Sequence, residues 1–281
     1  MVFDIFIKST GQDLLCFQEL QKDIKIYSNL GGKVYVSVPK QDYELFQNVI
    51  SEDFILLTDQ EIIISWNYSG KYYSDNWYMQ QALKLLISRY IENEYYLILD
   101  SNTLITRRFD ENDFYLNGLV KYNIGNENGD DLNFEYSTAA FLGLQSYKAV
   151  GFNNVNQVFN TANVRQLLKH IESLVDEPVA DNLITSCLPN HEKCPPPWTE
   201  FHLYGIFSKE LSPVQHHAYS RDNQIAHFKY TGRDAILKFI NDIQASKPLF
   251  IKFWKSRRLD VADIPDKEYL QLISELKSSF Q

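Results

Sequence analysis

The beginning of the chain alternates between short apolar runs and stretches with apolar residues at helical spacing. Strands are predicted at Phe3–Ile7, Lys33–Pro39 and Phe54–Thr58, where apolar side chains are continuous or alternate with polar ones. Helices are predicted between them, at Leu14–Leu30 and Asp42–Ile50. Strands that alternate with helices are typical of a parallel sheet with crossover helices on its faces. The predicted fold class is therefore α/β, with a Rossmann-like, mostly parallel sheet and helices on both faces.

The clearest local signal is a helix followed by a buried strand that ends in an acidic turn. The helix is predicted over Ser74–Asn93, with Gln81 and Lys84 on one stripe. The strand Tyr95–Leu99 is rich in aromatic and aliphatic residues and runs directly into Asp100. In open parallel sheets, ligands bind beyond the carboxyl ends of the strands. Asp100 is therefore predicted to lie at a ligand site.

The rest of the chain combines amphipathic helices with polar segments. Helices are predicted at Asn163–Val175, Asp234–Gln244 and Lys267–Phe280, from the spacing of their apolar residues. Gly118–Asp131 is polar and contains glycine, and Asp181–Glu200 is rich in proline, so both are predicted to be loops. The sequence has neither an internal repeat nor a flexible linker, and we expect a single domain.

Composition and charge argue against several classes of partner. The 281 residues carry 27 Lys plus Arg against 36 Asp plus Glu, a net charge of −9, which argues against a nucleic-acid-coating protein and a polybasic membrane anchor. The sequence shows no signal peptide and no apolar run of about eighteen residues, so no membrane span is expected. An odd number of cysteines without a secretion signal favours a cytoplasmic location.

Asp100 and Asn102 form an acid-x-amide triplet at the end of the predicted strand. Residues i and i+2 of an extended segment point to the same side, so their oxygens are able to bind one hard cation. Mg²⁺ or Mn²⁺ held in this way usually shares its other positions with water and substrate phosphates. Because Asn102 carries no charge, we expect weak metal affinity. A simple polar turn is the alternative interpretation.

Six segments match the pattern of a known family. Trp77–Leu85 and Tyr95–Thr103 are similar to a W-x-x-Q-Q-x-x-K helix and a Y-x-x-x-D-S-D-T strand end. The other four are Phe141–Leu144, Val150–Asn153, the predicted helix around Val164–Ile171, and Trp198–Gly205, the last similar to W-x-E-[FY]-x-x-Y-G. Over residues 1–210 the chain thus resembles an uncharacterised bacterial family of nucleotide-sugar glycosyltransferase-like proteins. The resemblance implies the GT-A glycosyltransferase fold, a Rossmann-like sheet that binds a nucleoside-diphosphate sugar.

The resemblance implies a glycosyltransferase that moves a sugar from a nucleoside-diphosphate donor to a glycan or lipid-linked acceptor, assisted by Mn²⁺ or Mg²⁺. Residues 1–110 would form the nucleotide-sugar-binding half and residues 111–281 the acceptor-side half of one domain. Asn102 stands where the family pattern has Asp, which favours the alternative of a degenerate module that binds sugar nucleotide or glycan without turnover. A nucleotidyltransferase would need a glycine-rich phosphate loop, which Gly11 alone does not supply.

The resemblance also implies which residues meet the donor. Lys8, Thr10 and Asp13 follow the first strand and are expected to contact the nucleoside; a plain strand-to-helix turn is the alternative. Lys84 is expected to approach the phosphates, although a helix lysine is often solvated. Asp100 is expected to serve both the donor diphosphate and the metal.

Later segments supply the remaining candidates. Glu200 is expected to be the catalytic carboxylate that faces the acceptor hydroxyl, with a capping or salt-bridged glutamate as the alternative. His227 is expected to complete the metal ligands, with a structural histidine as the alternative. The basic segment Lys252–Arg258 is able to bind a diphosphate, an anionic acceptor or a bilayer surface, or to form a solvated face. Peripheral contact with the inner face of the membrane therefore stays open.

Overall fold

The computed structural model describes residues 2–70, 77–125, 129–152, 156–175, 177–185, 198–221, 225–229, 238–239, 242, 248–254 and 266–279. Its strands, in chain order, are β1 (Phe3–Lys8), β2 (Gly31–Val38), β3 (Phe54–Thr58), β4 (Tyr95–Asp100), β5 (Thr103–Ile105), β6 (Tyr115–Leu116), β7 (Leu119–Asn123), β8 (Val158–Asn160), β9 (His217–Ser220), β10 (Ile225–Lys229) and β11 (Phe250–Trp254). Its α-helices are α1 (Leu14–Tyr27), α2 (Tyr43–Gln47), α3 (Asp59–Ile64), α4 (Trp77–Leu86), α5 (Gly129–Phe141), α6 (Thr161–Leu174), α7 (Val179–Thr185), α8 (Glu200–Ile206) and α9 (Asp266–Ser278).

The largest sheet has the strand order β3-β2-β1-β4-β8. β1 pairs in parallel with both β2 and β4, and β2 pairs in parallel with β3, whereas β8 runs antiparallel to β4. The predicted Rossmann-like, mostly parallel α/β sheet is therefore confirmed. The chain adds β2 and β3 on one side of β1 and returns later to add β4 on the other side. The strand order thus reverses between β1 and β4, which is where open α/β sheets bind ligands.

Both faces of the sheet are buried, which explains why β1 and β4 are apolar along most of their length. Phe6 and Ile98 belong to the core on the side of α4, α6, α7 and α8. Ile5 and Leu97, their sequence neighbours, belong to the core on the side of α1 and α2. Helices therefore cover both faces, as predicted.

Two smaller sheets pair strands from the middle of the chain with strands that come later. One has the order β10-β11-β5 and the other the order β6-β7-β9. β11 pairs antiparallel with β5, the strand that follows directly after the turn at the end of β4. This pairing brings residues 250–254 beside the carboxyl end of β4. The functional division of the chain at residue 110 stays a prediction.

Side-chain caps fix the starts of α3, α6 and α8. Thr58 and Glu61 form a capping box at α3, with the Glu61 backbone N–H donating to Thr58 Oγ1 at 3.2 Å. Asn160 caps α6, since its Oδ1 accepts from the Asn163 backbone N–H at 2.9 Å. Thr199 caps α8 in the same way, and Glu200 is consequently the first residue of that helix.

The predictions for the second half of the chain were only partly correct. Gly118–Asp131, predicted to be a loop, contains β7 and the start of α5, because β7 finds a partner in the distant strand β9. Asp181–Glu200 begins inside α7 and ends at the first residue of α8, and its residues 186–197 lie outside the described residues. The helix predicted at Asp234–Gln244 also lies outside them, apart from residues 238–239 and 242. In the described parts of the chain, no helix has the length and apolar character to cross a membrane.

Candidate active site

Charged residues end the two strands between which the strand order reverses. Lys8 is the last residue of β1 and Asp100 the last residue of β4, and the two are aligned in the parallel register. On its other side, Lys8 is aligned with Ser37 of β2. Because parallel strands present their carboxyl ends at one edge, these polar residues form a row at the edge where such sheets bind ligands.

Asp100 is the centre of a lysine–carboxylate cluster. Its Oδ1 lies 2.8 Å from the ammonium of Lys84, and its Oδ2 contacts the ammonium of Lys252. Burial alone would raise the pKa of Asp100, but the positive charges of Lys252 and Lys84 outweigh burial and hold this pKa well below its usual range. Asp100 is therefore ionised at neutral pH, and each of its oxygens is engaged by a different cation.

Lys84 links Asp100 to a second carboxylate. Its ammonium donates to Glu200 Oε1 at 2.7 Å and lies 5.2 Å from the centroid of the Phe201 ring. The hydroxyl of Tyr96 donates to the Lys84 backbone carbonyl at 2.9 Å and so fixes the end of α4 against β4. Although burial lowers the pKa of a lysine, Asp100 and Glu200 together raise the pKa of Lys84 above its usual value, so the side chain stays charged.

Glu200 is the most deeply buried residue of the cluster, with 0% of its surface exposed. With its amide nitrogen turned toward Glu200, Gln81 donates to Oε1 at 3.1 Å. Burial raises the pKa of Glu200, and the nearby Lys84 only partly offsets this effect. The contact with Lys84 favours the salt-bridged glutamate that the sequence left open as an alternative. The role of catalytic carboxylate stays a prediction.

The residues at the end of β1 and directly after it differ in their contacts and burial. The ammonium of Lys8 lies 3.1 Å from Asp59 Oδ2 and donates to the Ser9 carbonyl at 2.7 Å, so this lysine is engaged inside the protein. Thr10 and Asp13 are half-buried and linked through a 3.5 Å hydrogen bond from Thr10 Oγ1 to Asp13 Oδ2. Ser9 Oγ is buried, and no described residue forms a hydrogen bond with it. The segment is thus placed beside the site, and its contact with a nucleoside stays a prediction.

The resemblance implies a divalent cation at Asp100. Whether such a cation fits depends on the oxygen and nitrogen atoms that surround this carboxylate. Asn102 Oδ1 is buried and has no hydrogen-bond partner among the described residues, so it is an available neutral oxygen. His227 is aligned with Lys252 in the β10–β11 register, which brings its backbone near the cluster. Divalent cations require several oxygen ligands, however, and the carboxylate of Asp100 is already held by two ammonium groups. Among the described residues, no group of three or more His, Cys, Asp or Glu side chains is arranged to hold a metal ion. While both lysines hold Asp100, the described side chains do not fit a divalent cation, and Asn102 and His227 as ligands stay predictions.

A buried hydrogen-bond chain fixes α8, which carries Glu200, against the sheet. His217 Nδ1 lies 3.2 Å from the Val120 carbonyl, which is able only to accept, so Nδ1 carries the proton. His217 Nε2 therefore accepts from the Tyr204 hydroxyl at 2.6 Å, and the same hydroxyl oxygen accepts from the Asn160 backbone N–H at 2.8 Å. Burial lowers the pKa of His217 to about 3; His216 adds to this effect, and the bond to Val120 opposes it.

We expect this histidine to make the protein sensitive to acid. The pKa of His217 is lower in the folded state than in the unfolded state, so only the unfolded chain takes up a proton near pH 6.5. Its contribution to stability is therefore complete above pH 6.5 and falls by about 2 kcal/mol by pH 5. Urea unfolding of the wild type and His217→Gln at pH 7 and pH 5 measures this difference. An equal loss of stability in both proteins would contradict the assignment.

The sequence did not reveal two contacts of the cluster. Lys252 was recognised as part of a basic segment, but its contact with Asp100 depends on the pairing of β11 with β5. Gln81 was placed on the same helical stripe as Lys84, and that spacing is the signal that both side chains reach one partner, Glu200.

Fold and site together define an α/β protein with a lysine–carboxylate cluster at the carboxyl edge of its sheet. The chain belongs to a family of unknown function, DUF6492, whose model matches residues 9–234. The expected membership of an uncharacterised family is thus confirmed. No curated protein matches the sequence.

The fold is similar to solved structures of glycosyltransferases. Mouse xyloside xylosyltransferase 1 in its apo form is 12% identical, with a TM-score of 0.49, over 90% of this chain and 97% of that chain. Galactosyltransferase LgtC in complex with donor and acceptor sugar analogues is 10% identical, with a TM-score of 0.47, over 97% and 96%. Glycosyltransferase GlyE of Streptococcus pneumoniae is 14% identical, with a TM-score of 0.48, over 100% of this chain and 63% of that chain.

Proposed function

We propose that this protein is a glycosyltransferase that moves a sugar from a nucleoside-diphosphate donor to a glycan or lipid-linked acceptor in the cytoplasm. The observation that carries the proposal is the cluster of Lys84, Asp100 and Lys252 at the carboxyl edge of the sheet. Two ammonium groups at this edge suit an anionic diphosphate, and Asp100 keeps them in place. The segments Trp77–Leu85 and Trp198–Gly205, which resemble the glycosyltransferase-like family, supply Lys84 and Glu200 to the same cluster.

The reaction requires stabilisation of a leaving diphosphate. The acceptor hydroxyl oxygen forms a bond to the anomeric carbon of the sugar, and the bond between that carbon and the diphosphate oxygen breaks. The electron pair of the broken bond leaves with the nucleoside diphosphate, and the acceptor proton passes to a base. Cationic side chains that are fixed in advance stabilise the charge that develops on the leaving group. This is the part of the chemistry for which Lys84 and Lys252 are suited.

The remaining residues keep their proposed roles beside the cluster. Lys8, Thr10 and Asp13 would contact the nucleoside at the end of β1. Glu200 would serve as the base for the acceptor if the hydroxyl reached it, and otherwise fixes Lys84 through their 2.7 Å contact. The pH profile of Glu200→Gln distinguishes the two roles, because loss of a base removes the acid limb of the rate profile, whereas loss of a positioning residue lowers the rate at every pH.

Nucleotide-dependent stabilisation followed by turnover tests the proposed function. At a concentration of 100 times its Kd, a nucleoside diphosphate that binds the folded state should stabilise the protein by about 2.7 kcal/mol. Thermal unfolding with UDP, GDP, ADP or CDP measures this binding, and release of nucleoside diphosphate from the matching sugar donor measures turnover. Absence of stabilisation by every nucleotide, with and without Mn²⁺, would contradict the proposal.

A binding module without turnover is the second candidate. Asn102 in place of the expected aspartate and the engagement of both Asp100 oxygens by lysines favour it. Stabilisation by a nucleotide without donor hydrolysis or transfer to any acceptor would support the module over the enzyme.

A further inference from the structure

The two lysines that contact Asp100 are held in different ways. Lys84 lies between two carboxylates, at 2.8 Å from Asp100 Oδ1 and 2.7 Å from Glu200 Oε1. Lys252 contacts Asp100 Oδ2 from the opposite half of the chain, on β11. The opposite charges of Glu200 and Lys84 thus form one ion pair in the interior, and those of Lys252 and Asp100 form the second ion pair of the cluster.

Exposure separates the two pairs. The side chain of Glu200 is 0% exposed and that of Lys84 is 4% exposed. The side chains of Lys252 and Asp100 are 9% and 18% exposed, so the second pair is the one that is more accessible from solvent. A ligand phosphate that approaches the cluster therefore meets the ammonium of Lys252 before it meets the interior pair.

We propose that Lys252 supplies at Asp100 the positive charge that a divalent cation supplies in metal-dependent transferases, so that the diphosphate binds without metal. This inference rests on the proposed function, since it concerns the same donor. On binding, the ammonium of Lys252 moves from Asp100 Oδ2 to an oxygen of the diphosphate. A charge-assisted hydrogen bond to phosphate replaces one to carboxylate, and Asp100 stays paired with Lys84.

The oxygens around Lys252 would then bind the uncharged part of the donor. Asp100 Oδ2, released by Lys252, accepts a hydrogen bond from a sugar hydroxyl. Asn102 Oδ1, which is buried and lacks a hydrogen-bond partner in the part of the chain that the structure describes, accepts a second one. A hydrogen bond to this oxygen removes the cost of burying an unpaired acceptor. Asn102 thus contributes to sugar recognition through its amide oxygen, and this role needs no charge.

Isothermal titration with UDP, GDP, ADP and CDP in EDTA, Mg²⁺ or Mn²⁺ tests the inference on the full-length protein. We expect the nucleotide that binds to do so in EDTA with a Kd within about threefold of its Kd in Mn²⁺. Lys252→Gln should weaken binding of that nucleotide by at least about tenfold, since a hydrogen bond to a charged group is lost. Lys277→Gln is the matched control, because it removes a lysine paired with the buried Asp23 outside the cluster, and its nucleotide binding should equal that of the wild type.

The outcomes separate the inference from the proposed function. Nucleotide binding that is lost in EDTA and restored by Mn²⁺ would overturn the inference and leave the glycosyltransferase proposal in place. Unchanged affinity of a folded Lys252→Gln would also overturn it. If Lys252→Gln does not fold, the comparison of the wild type in EDTA and in Mn²⁺ still decides whether nucleotide binding requires a metal ion. Absence of binding by every nucleotide under every condition would instead contradict the proposed function itself.

Discussion

Replacement of Asp100 by asparagine should lower sugar transfer by at least about 100-fold, a loss that misplaced catalytic groups are known to cause. Asparagine keeps the size of aspartate but removes the charge that holds the ammonium groups of Lys84 and Lys252 at the edge of the sheet. The ammonium of Lys252 would then lose its contact with Asp100, and that of Lys84 would keep only its contact with Glu200, so neither is fixed in the position that stabilises the departing diphosphate. Rates of donor hydrolysis and transfer at saturating donor measure the effect.

Asp23→Asn is the matched control for Asp100→Asn. Asp23 is also buried and ion-paired with a lysine, at 2.5 Å from Lys277, but it lies on α1 outside the cluster. We expect Asp23→Asn to retain the wild-type rate, even though it loses a comparable ion pair. Wild-type turnover by Asp100→Asn, or an equal loss of rate in both variants, would place the site elsewhere.

Lys84→Met should destabilise the fold by about 3–5 kcal/mol, the range found when one partner of a buried ion pair is removed. The substitution leaves the carboxylate of Glu200, with 0% of its surface exposed, without its cation.

The loss of stability in Lys84→Met should depend on pH. The pKa of Glu200, already raised by burial, would rise further. A glutamate with a raised pKa in the folded state adds stability at low pH and loses it as the pH rises through that pKa. The defect of Lys84→Met should therefore decrease as the pH falls from 8 to 5. Urea unfolding across this range measures it.

The variant Glu200→Gln provides the control for this ion pair. In the Lys84→Met background it removes the unpaired charge, so the double variant should be more stable at pH 7 than Lys84→Met alone. The double-mutant cycle gives the coupling energy between the two side chains. Strictly additive effects would mean that the 2.7 Å contact between Lys84 and Glu200 does not stabilise the fold.

The sequence predicted those parts of the fold and of the site that depend on local pattern. The strand ending at Asp100 could be predicted because its apolar residues are consecutive and a polar turn follows directly. The stripe of Gln81 and Lys84 could be predicted because helical spacing alone places them on one side. The position of Asp100 at the carboxyl edge of the sheet follows from the alternation of strands and helices, without knowledge of any tertiary contact.

The remaining features depend on contacts between distant parts of the chain. Lys252 and Asp100 are 152 positions apart, and no local pattern reports that β11 pairs with β5. β7 was predicted as part of a loop because the segment is polar and contains glycine; of its two partner strands, β6 precedes it directly and β9 comes much later in the sequence. Burial decides the environment of Glu200, and the residues that bury it come from several elements. Charge and spacing therefore identified candidates, whereas the pairing of strands determined which of them meet.

The position of β1 in the sheet has a consequence for how relatives are compared. β1 is the middle strand, with β2 and β4 on its two sides, and it ends at Lys8, before the matched residues 9–234 begin. Lys252 lies after those residues. A fragment trimmed to the matched region would lack the strand that joins the two halves of the sheet, leave the edges of β2 and β4 unpaired, and lack the second cation. The stretch that reveals common ancestry is thus shorter than the unit that folds, and an inventory of this site across the family has to extend beyond both of its boundaries.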